Sequence, residues 1–309
     1  MSFKDWQILE SESQVNRSQF LLTKEEIEQW LKDTVKIKGD YVINDDMTVD
    51  VKGDVGIKNK SIKKIEVKFN EVSGDFNCYE CKSLTSLEGA PKTVGGYFDC
   101  YDCKSLKTLE GAPKEVSGYF YCSYCKSLTS LEGAPETVGG YFDCGSCISL
   151  KTLEGAPETV GGYFSCGYCT SLKTLEGAPE TVGGYFSCGS CTSLKTLEGA
   201  PETVGGYFYC SYCTSLKSLE GISMKIEGRI YLNGTPFSDL EEEINDNKTS
   251  FHLYSAGFTK DNYKDPEMQE KLKKLGVEHK VSWSILDDYI LDKNIGGSRR
   301  SMAKLKKGF

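Results

Sequence analysis

From Val72 to Leu219 the apolar residues return at fixed offsets, and the whole set of offsets repeats every 22 residues. In one copy they are Val94, Phe98, Cys100, Cys103, Leu106 and Leu109, and Val116 opens the next. Around Tyr97-Phe98-Asp99-Cys100 the pattern alternates. A strand there turns Phe98 and Cys100 inward and Tyr97 and Asp99 outward. Gly95-Gly96 and Gly111-Ala112-Pro113 interrupt the apolar positions, and these residue types mark bends. A strand, a bend and a return at one fixed period predict a solenoid, in which each coil buries its interior against its neighbours.

The same offsets survive in worn form on both sides. Val51-Lys52-Gly53-Asp54-Val55-Gly56-Ile57 parallels Val72 to Cys78, with Asn59 or Lys60 near the second cysteine position. Ile226-Glu227-Gly228-Arg229-Ile230-Tyr231-Leu232 parallels Val204 to Cys210. The count is about nine coils, spanning roughly 40 Å at strand spacing. The expected fold is therefore a mainly β repeat solenoid over 49–236. A helical cap is expected over 1–48, and an α-rich appendage with a basic tail over 237–309.

The flanks change from period 22 to helical spacing. Thr23 and Glu26 form a capping box before Ile27, Trp30 and Leu31, which share one helical face. Ser238 and Glu241 suggest a second box opening a short acidic helix. Asp265-Pro266-Glu267 reads as a further helix start, and Val281 to Leu291 as a last helix or strand.

The net charge of −8 argues against nucleic acid as the partner, which calls for a basic footprint. There is no apolar run long enough to span a membrane. The opening residues lack the pattern of a signal peptide, so the expected compartment is the cytoplasm, where the fourteen cysteines stay reduced. The two histidines, His252 and His279, have no nucleophile or paired carboxylate at a diagnostic spacing, so the expectation is a non-enzyme without a cofactor.

The cysteine pairs run from Cys78/Cys81 to Cys210/Cys213. Their Cys-x2-Cys-x18-Cys-x2-Cys spacing falls within that of four-cysteine zinc sites, so zinc and disulfides remain alternatives. Seven pairs do not divide into two-pair sites, however, and Leu232 replaces the first cysteine in the last coil. Both facts favour cysteine as a small buried hydrophobe.

The copies also carry a likeness. Phe98-x-Cys100-x-x-Cys103-x-x-Leu106 resembles the core of a leucine-rich repeat. The full copy through Leu109 and Pro113 to Cys122 looks like the cysteine-bearing bacterial type, and still more like the "SLEGAP…VGG" repeats of tailed-phage proteins. Gly95 stands where the usual repeat has its first leucine, and Leu106 lies one residue late. The resemblance covers about 50 to 235. It implies a scaffold for protein contact and, for phage members, a part in host interaction or counter-defence.

The expected contact surface is the outward face of the strand. Tyr97, Tyr119, Tyr141, Tyr163, Tyr185 and Tyr207 form its constant row. Asp99, Tyr121, Asp143, Ser165, Ser187 and Tyr209 vary beside them, as do the pairs between the cysteines, such as Gly145-Ser146 and Gly167-Tyr168. A constant scaffold with one varied face is how solenoids build binding surfaces. The leading expectation is capture of a protein partner through this face. The site residues are Tyr97, Asp99, Tyr119, Tyr121, Tyr141, Asp143, Tyr163, Tyr185, Tyr207 and Tyr209, aided by Arg299 and Arg300 in the tail. The alternatives are a zinc-binding repeat protein and a trap for a nucleotide-type ligand, with Arg299 and Arg300 on its phosphates.

Overall fold

The computed structural model describes residues 22–219, 221–223, 225–246 and residue 266. Over this span the chain is a parallel β-solenoid with coils of about 22 residues. Two ladders run along it. One stacks Val55, Phe76, Phe98, Phe120, Phe142, Phe164, Phe186, Phe208 and Ile230 at equivalent positions, nine rungs separated by eight full turns. The other stacks Val51, Val72, Val94, Val116, Val138, Val160, Val182, Val204 and Ile226. Each copy thus gives two short strands, such as Thr93–Val94 and Phe98–Asp99, instead of the single strand expected around Phe98.

The second glycine between those strands, present in every coil from Gly74 to Gly228, answers to close approach, not to turn dihedrals: a Cβ on Gly118 would stand 2.5 Å from the Gly96 carbonyl oxygen of the coil below. The corner at Gly111 is different: its φ of +88° lies in the region that favours glycine.

The interior follows the apolar columns. Phe76 to Phe208 are fully enclosed and stack ring on ring, with centroids 5.2–5.6 Å apart. All fourteen cysteines are buried and unpaired. Leu106, Leu109 and Val116 and their equivalents complete the core.

The two cysteines of a pair do different work. The first packs. The second also donates its thiol to the carbonyl of the first cysteine one coil earlier, as Cys103 does to Cys78 at 3.2 Å and Cys147 to Cys122 at 3.2 Å. The worn last coil departs from this. Leu232 replaces the packing cysteine, and Thr235 stands at the second position but gives its hydroxyl to the Leu232 carbonyl of its own coil at 2.6 Å, not to the coil before. A buried carbonyl left without a donor is costly, and the Leu232 carbonyl, with no further coil among the described residues, takes donors from Thr235 and Ser238.

Both ends are closed, by different means. Helix α1 (Lys24–Thr34) begins at the expected capping box, with the Glu26 N–H donating to Thr23 Oγ1 at 3.2 Å and the Thr23 N–H to Glu26 Oε2 at 2.8 Å. It buries Ile27 and Leu31 against the first coil. The chain then continues as strand β1 (Val35–Ile43), paired antiparallel along its whole length with β2 (Thr48–Ile57). The helical cap expected over 1–48 is therefore helix plus strand, and an antiparallel strand covers the first parallel rung. At the other end the short 3-10 turn Ser238–Leu240 leads into α2 (Glu241–Asp246). Ser238 does not cap it as expected; its hydroxyl donates to the carbonyls of Leu232 and Thr235. The side chains of α2 instead pair with the last rung. Asn245 takes the Ile230 N–H and returns a donor to the Ile230 carbonyl, each at 2.8 Å, and Glu241 accepts from the Leu232 N–H at 2.7 Å. Apart from Pro266, the elements expected beyond 246 lie outside the described residues. No helix among the described residues is long and apolar enough to cross a membrane.

Candidate functional site

The constant tyrosine row lies on the outward face as the alternation requires, but its rings face one another. Tyr119, Tyr141, Tyr163, Tyr185 and Tyr207 form one continuous stack, with centroids 4.4, 4.2, 4.3 and 4.8 Å apart and nearly parallel planes. The aromatic faces, the part of tyrosine best suited to a partner, are covered by neighbouring coils; edges and hydroxyls are left to solvent. The hydrogen bond to Tyr141, together with burial among the rings and the neighbouring phenols, pushes the Tyr163 phenol up to about 12. Tyr97 stands before the stack, and burial beside Asp75 raises its phenol.

The carboxylates of the neighbouring column hold a turn. Asp99 Oδ1 accepts the Tyr101 N–H at 2.9 Å, and Asp143 Oδ1 accepts the Gly145 N–H at 2.8 Å. Burial pushes the Asp99 carboxyl above its ordinary range, with the Tyr101 N–H pulling the other way. Tyr121 leans edge-on against Tyr119, and Tyr209 stacks on Tyr231 at 4.6 Å. Arg299 and Arg300 lie outside the described residues.

Beside this face lies a groove of about 410 Å3. Of the expected site residues it includes Asp143 and Tyr209; Ser165 and Ser187 come from the same column, and the rest of its lining comes from the residues between the cysteines. Its floor is Gly145, Gly167 and Gly189 with Ser165 and Ser187, and Tyr124, Tyr168 and Tyr212 stand at its rim. These three are among the most exposed aromatics of the described chain, at 43, 63 and 57%.

Two features show how the repeat builds it. The floor glycines are not demanded by the backbone: a Cβ on Gly189 would sit 3.4 Å from its nearest neighbour, the Ser211 oxygen, and one on Gly167 3.3 Å from the Gly189 oxygen. Other coils carry Tyr79, Tyr101, Ser123 and Ser211 at this position. Gly145 is tighter, with a Cβ 3.0 Å from Asp143 Oδ1, so a side chain at these sites asks its neighbours to ease by a few tenths of an ångström; three successive glycines remove side chains where other coils carry them. The rim position is held the opposite way. Tyr124, Ser146, Tyr168, Ser190 and Tyr212 all have φ between 59° and 61°, a conformation that suits glycine and that costs other residues roughly 1–2 kcal/mol. The 44-residue recurrence of tyrosine just before the second cysteine was the signal for this rim in the sequence.

The zinc alternative meets a specific geometry. Cys188, Cys210 and Cys213 have sulfurs within 4.8 Å of one another, the one such group among the described residues, and no fourth ligand joins them. Structural zinc takes four ligands in a tetrahedron, so this enclosed trio does not fit it. A smaller hollow of about 300 Å3 at the N-terminal end carries Lys36, Lys38, Lys58 and Lys60. Lys38 pairs with Asp54 at 3.5 Å, Lys60 lies 3.7 Å over the Tyr79 ring, and Lys58 donates to the Lys32 carbonyl, so three of those cations already have partners.

Scans of the chain against protein-family models, curated proteins and solved structures return no match. The likeness to leucine-rich repeats thus rests on the residues that carry it, and the functional reading rests on the groove.

Proposed function

We propose that the chain is a non-enzymatic binding scaffold that captures a protein partner by laying an extended segment of it along the groove. The observation behind this reading is the run of three glycines, Gly145, Gly167 and Gly189, at a position where neighbouring coils carry side chains and the backbone does not ask for glycine. Small floor residues between tyrosine rims give a concave surface with aromatic anchors and hydroxyl partners, the composition of a recognition site. The stacked tyrosines beside it act as a brace that keeps the rungs in register.

The test fills the floor. Gly167→Tyr with Gly189→Tyr copies what Tyr79 and Tyr101 already do in early coils, so the thermal melt should stay within a few degrees of the parent. Proteins retained by the parent on an affinity column, identified by mass spectrometry, should be lost from this variant. Retention of the same proteins by both would overturn the reading.

A further inference from the structure

The rim has a periodicity of its own. Along one edge of the groove the residues run Tyr124, Ser146, Tyr168, Ser190, Tyr212, large and small in alternation. One coil advances about 4.8 Å, so the tyrosine positions recur about every 9.6 Å. A polyproline II helix turns once every three residues with a rise of 3.1 Å each, a repeat of about 9.3 Å. The other regular conformations miss this comb. An extended strand brings side chains to the same face about every 6.8 Å, and an α-helix turns every 5.4 Å.

The comb is also rigid. The backbone N–H of each rim tyrosine donates to the next coil: Tyr124 to the Gly145 carbonyl, Tyr168 to that of Gly189 and Tyr212 to that of Asn233, at 2.8–2.9 Å. Fixed positive φ values aim all five side chains from equivalent points of the backbone. A preformed comb loses little conformational freedom on binding, and a polyproline II ligand is itself preformed.

The floor suits the same ligand. Polyproline II has no internal hydrogen bonds, so its carbonyls need outside donors, and the hydroxyls of Ser146, Ser165, Ser187 and Ser190 line the groove. The charge is complementary to one sign only: Asp143 is the single charged side chain in the lining. Its oxygens accept from the Gly145 N–H at 2.8 Å and from the Ser123 hydroxyl at 3.0 Å. A carboxylate has about four lone-pair sites, which leaves capacity for a cation.

We propose that the occupant of the groove is a proline-rich segment in the polyproline II conformation, its prolines seated between the rim tyrosines and a basic residue beside Asp143. This rests on the capture reading above and narrows it to one class of partner.

The probe is a display library of random peptides about 12 residues long, selected on the full chain. The selected peptides should share prolines three residues apart with an arginine or lysine toward one end. Synthetic copies should bind Tyr168→Ala about tenfold or more weakly, the loss typical of an aromatic anchor. Ser146→Tyr with Ser190→Tyr, which fills the notches with a residue the same φ already holds at Tyr168, should weaken them as well. Asp143→Asn should weaken only peptides with the basic residue and flatten their salt dependence. Selected peptides that need the groove but lack the proline spacing would overturn this inference and leave the capture reading standing. A selection without groove-dependent peptides would also overturn it, while the affinity-column comparison decides the capture reading separately.

Discussion

The solenoid carries two rows of tyrosine, and they serve opposite ends. The row from Tyr119 to Tyr207 has one ring on every rung, at 4.2–4.8 Å, so each face meets another face. The row of Tyr124, Tyr168 and Tyr212 has one ring on every second rung, with serine between, and stays open to solvent. Same residue, same solenoid, doubled spacing: at one rung tyrosine becomes part of the fold, and at two it becomes a surface. The lesson extends to the core, where the phenylalanines also stack on every rung. Constancy from copy to copy therefore marks packing, inside or outside, and a column that varies is free to meet something else.

The largest way to sharpen this contrast lies in the buried stack. Phe164 is fully enclosed between Phe142 and Phe186. Phe164→Ala removes a large side chain from a site whose walls are fixed by hydrogen bonds to both neighbouring coils. The expected loss is about 3–5 kcal/mol, read from chemical denaturation. Because each coil is stable only through its neighbours, the transition should also broaden or split as the two halves uncouple. A loss below about 1 kcal/mol would show that the phenylalanine stack is not what joins the coils.

The next comparison sets the two tyrosine rows against each other. Tyr163→Ala removes two stacked neighbours, each worth about 0.5–1.5 kcal/mol beyond area, so the expected loss is about 1–3 kcal/mol. Tyr168→Ala removes no stacked partner and should stay within about 0.5 kcal/mol. Equal effects would erase the distinction between brace and rim. Alkaline titration gives a second reading of the brace. The Tyr163 phenol is raised from 10.0 to about 12 in the folded protein, so the folded state holds its proton longer than the unfolded chain. Its contribution to stability is complete below about pH 10 and is lost as pH rises toward 12. The parent melt should fall across that window, and Tyr163→Ala should fall less.

Much of this was legible in the residues themselves. Fixed offsets gave the solenoid, the nine rungs, the inward Phe and Cys columns and the outward tyrosines, because a period of 22 repeats one environment many times. What escaped was set by contacts between copies. The strand at Thr93–Val94 is only two residues long and carries no alternation to detect. Strand β1, VKIKGDYVI, is broken in pattern at Gly39, which lies opposite Gly53, both with positive φ (121° and 140°). The second cysteine's thiol donates across coils, so its role appears only when Cys103 is seen beside the Cys78 carbonyl. At the site, the outward tyrosines were located correctly, but a strand pattern does not say whether outward rings cover one another. The rim was visible as variation between the cysteines, and its meaning needed the rung spacing.

The smallest expected effect isolates what the rim costs the fold. Each residue before the second cysteine holds a φ near +60° whatever its type: Asp102 at 55°, Tyr124 at 61°, Ser146 at 59°. Glycine adopts this conformation without strain, yet among the described coils only the worn last one places it there, as Gly234 at φ +74°. Its greater freedom in the unfolded chain offsets part of the relief, by roughly 0.5–1 kcal/mol. Tyr168→Gly should therefore stabilise the protein by a few tenths to about 1 kcal/mol. Read beside the near-neutral Tyr168→Ala, such a gain would mean that the rim keeps its tyrosines against the preference of the backbone, as a position selected for contact would. A Tyr168→Gly variant less stable than Tyr168→Ala would place the value of Tyr168 in the fold, and the two rows would then differ in spacing but not in kind.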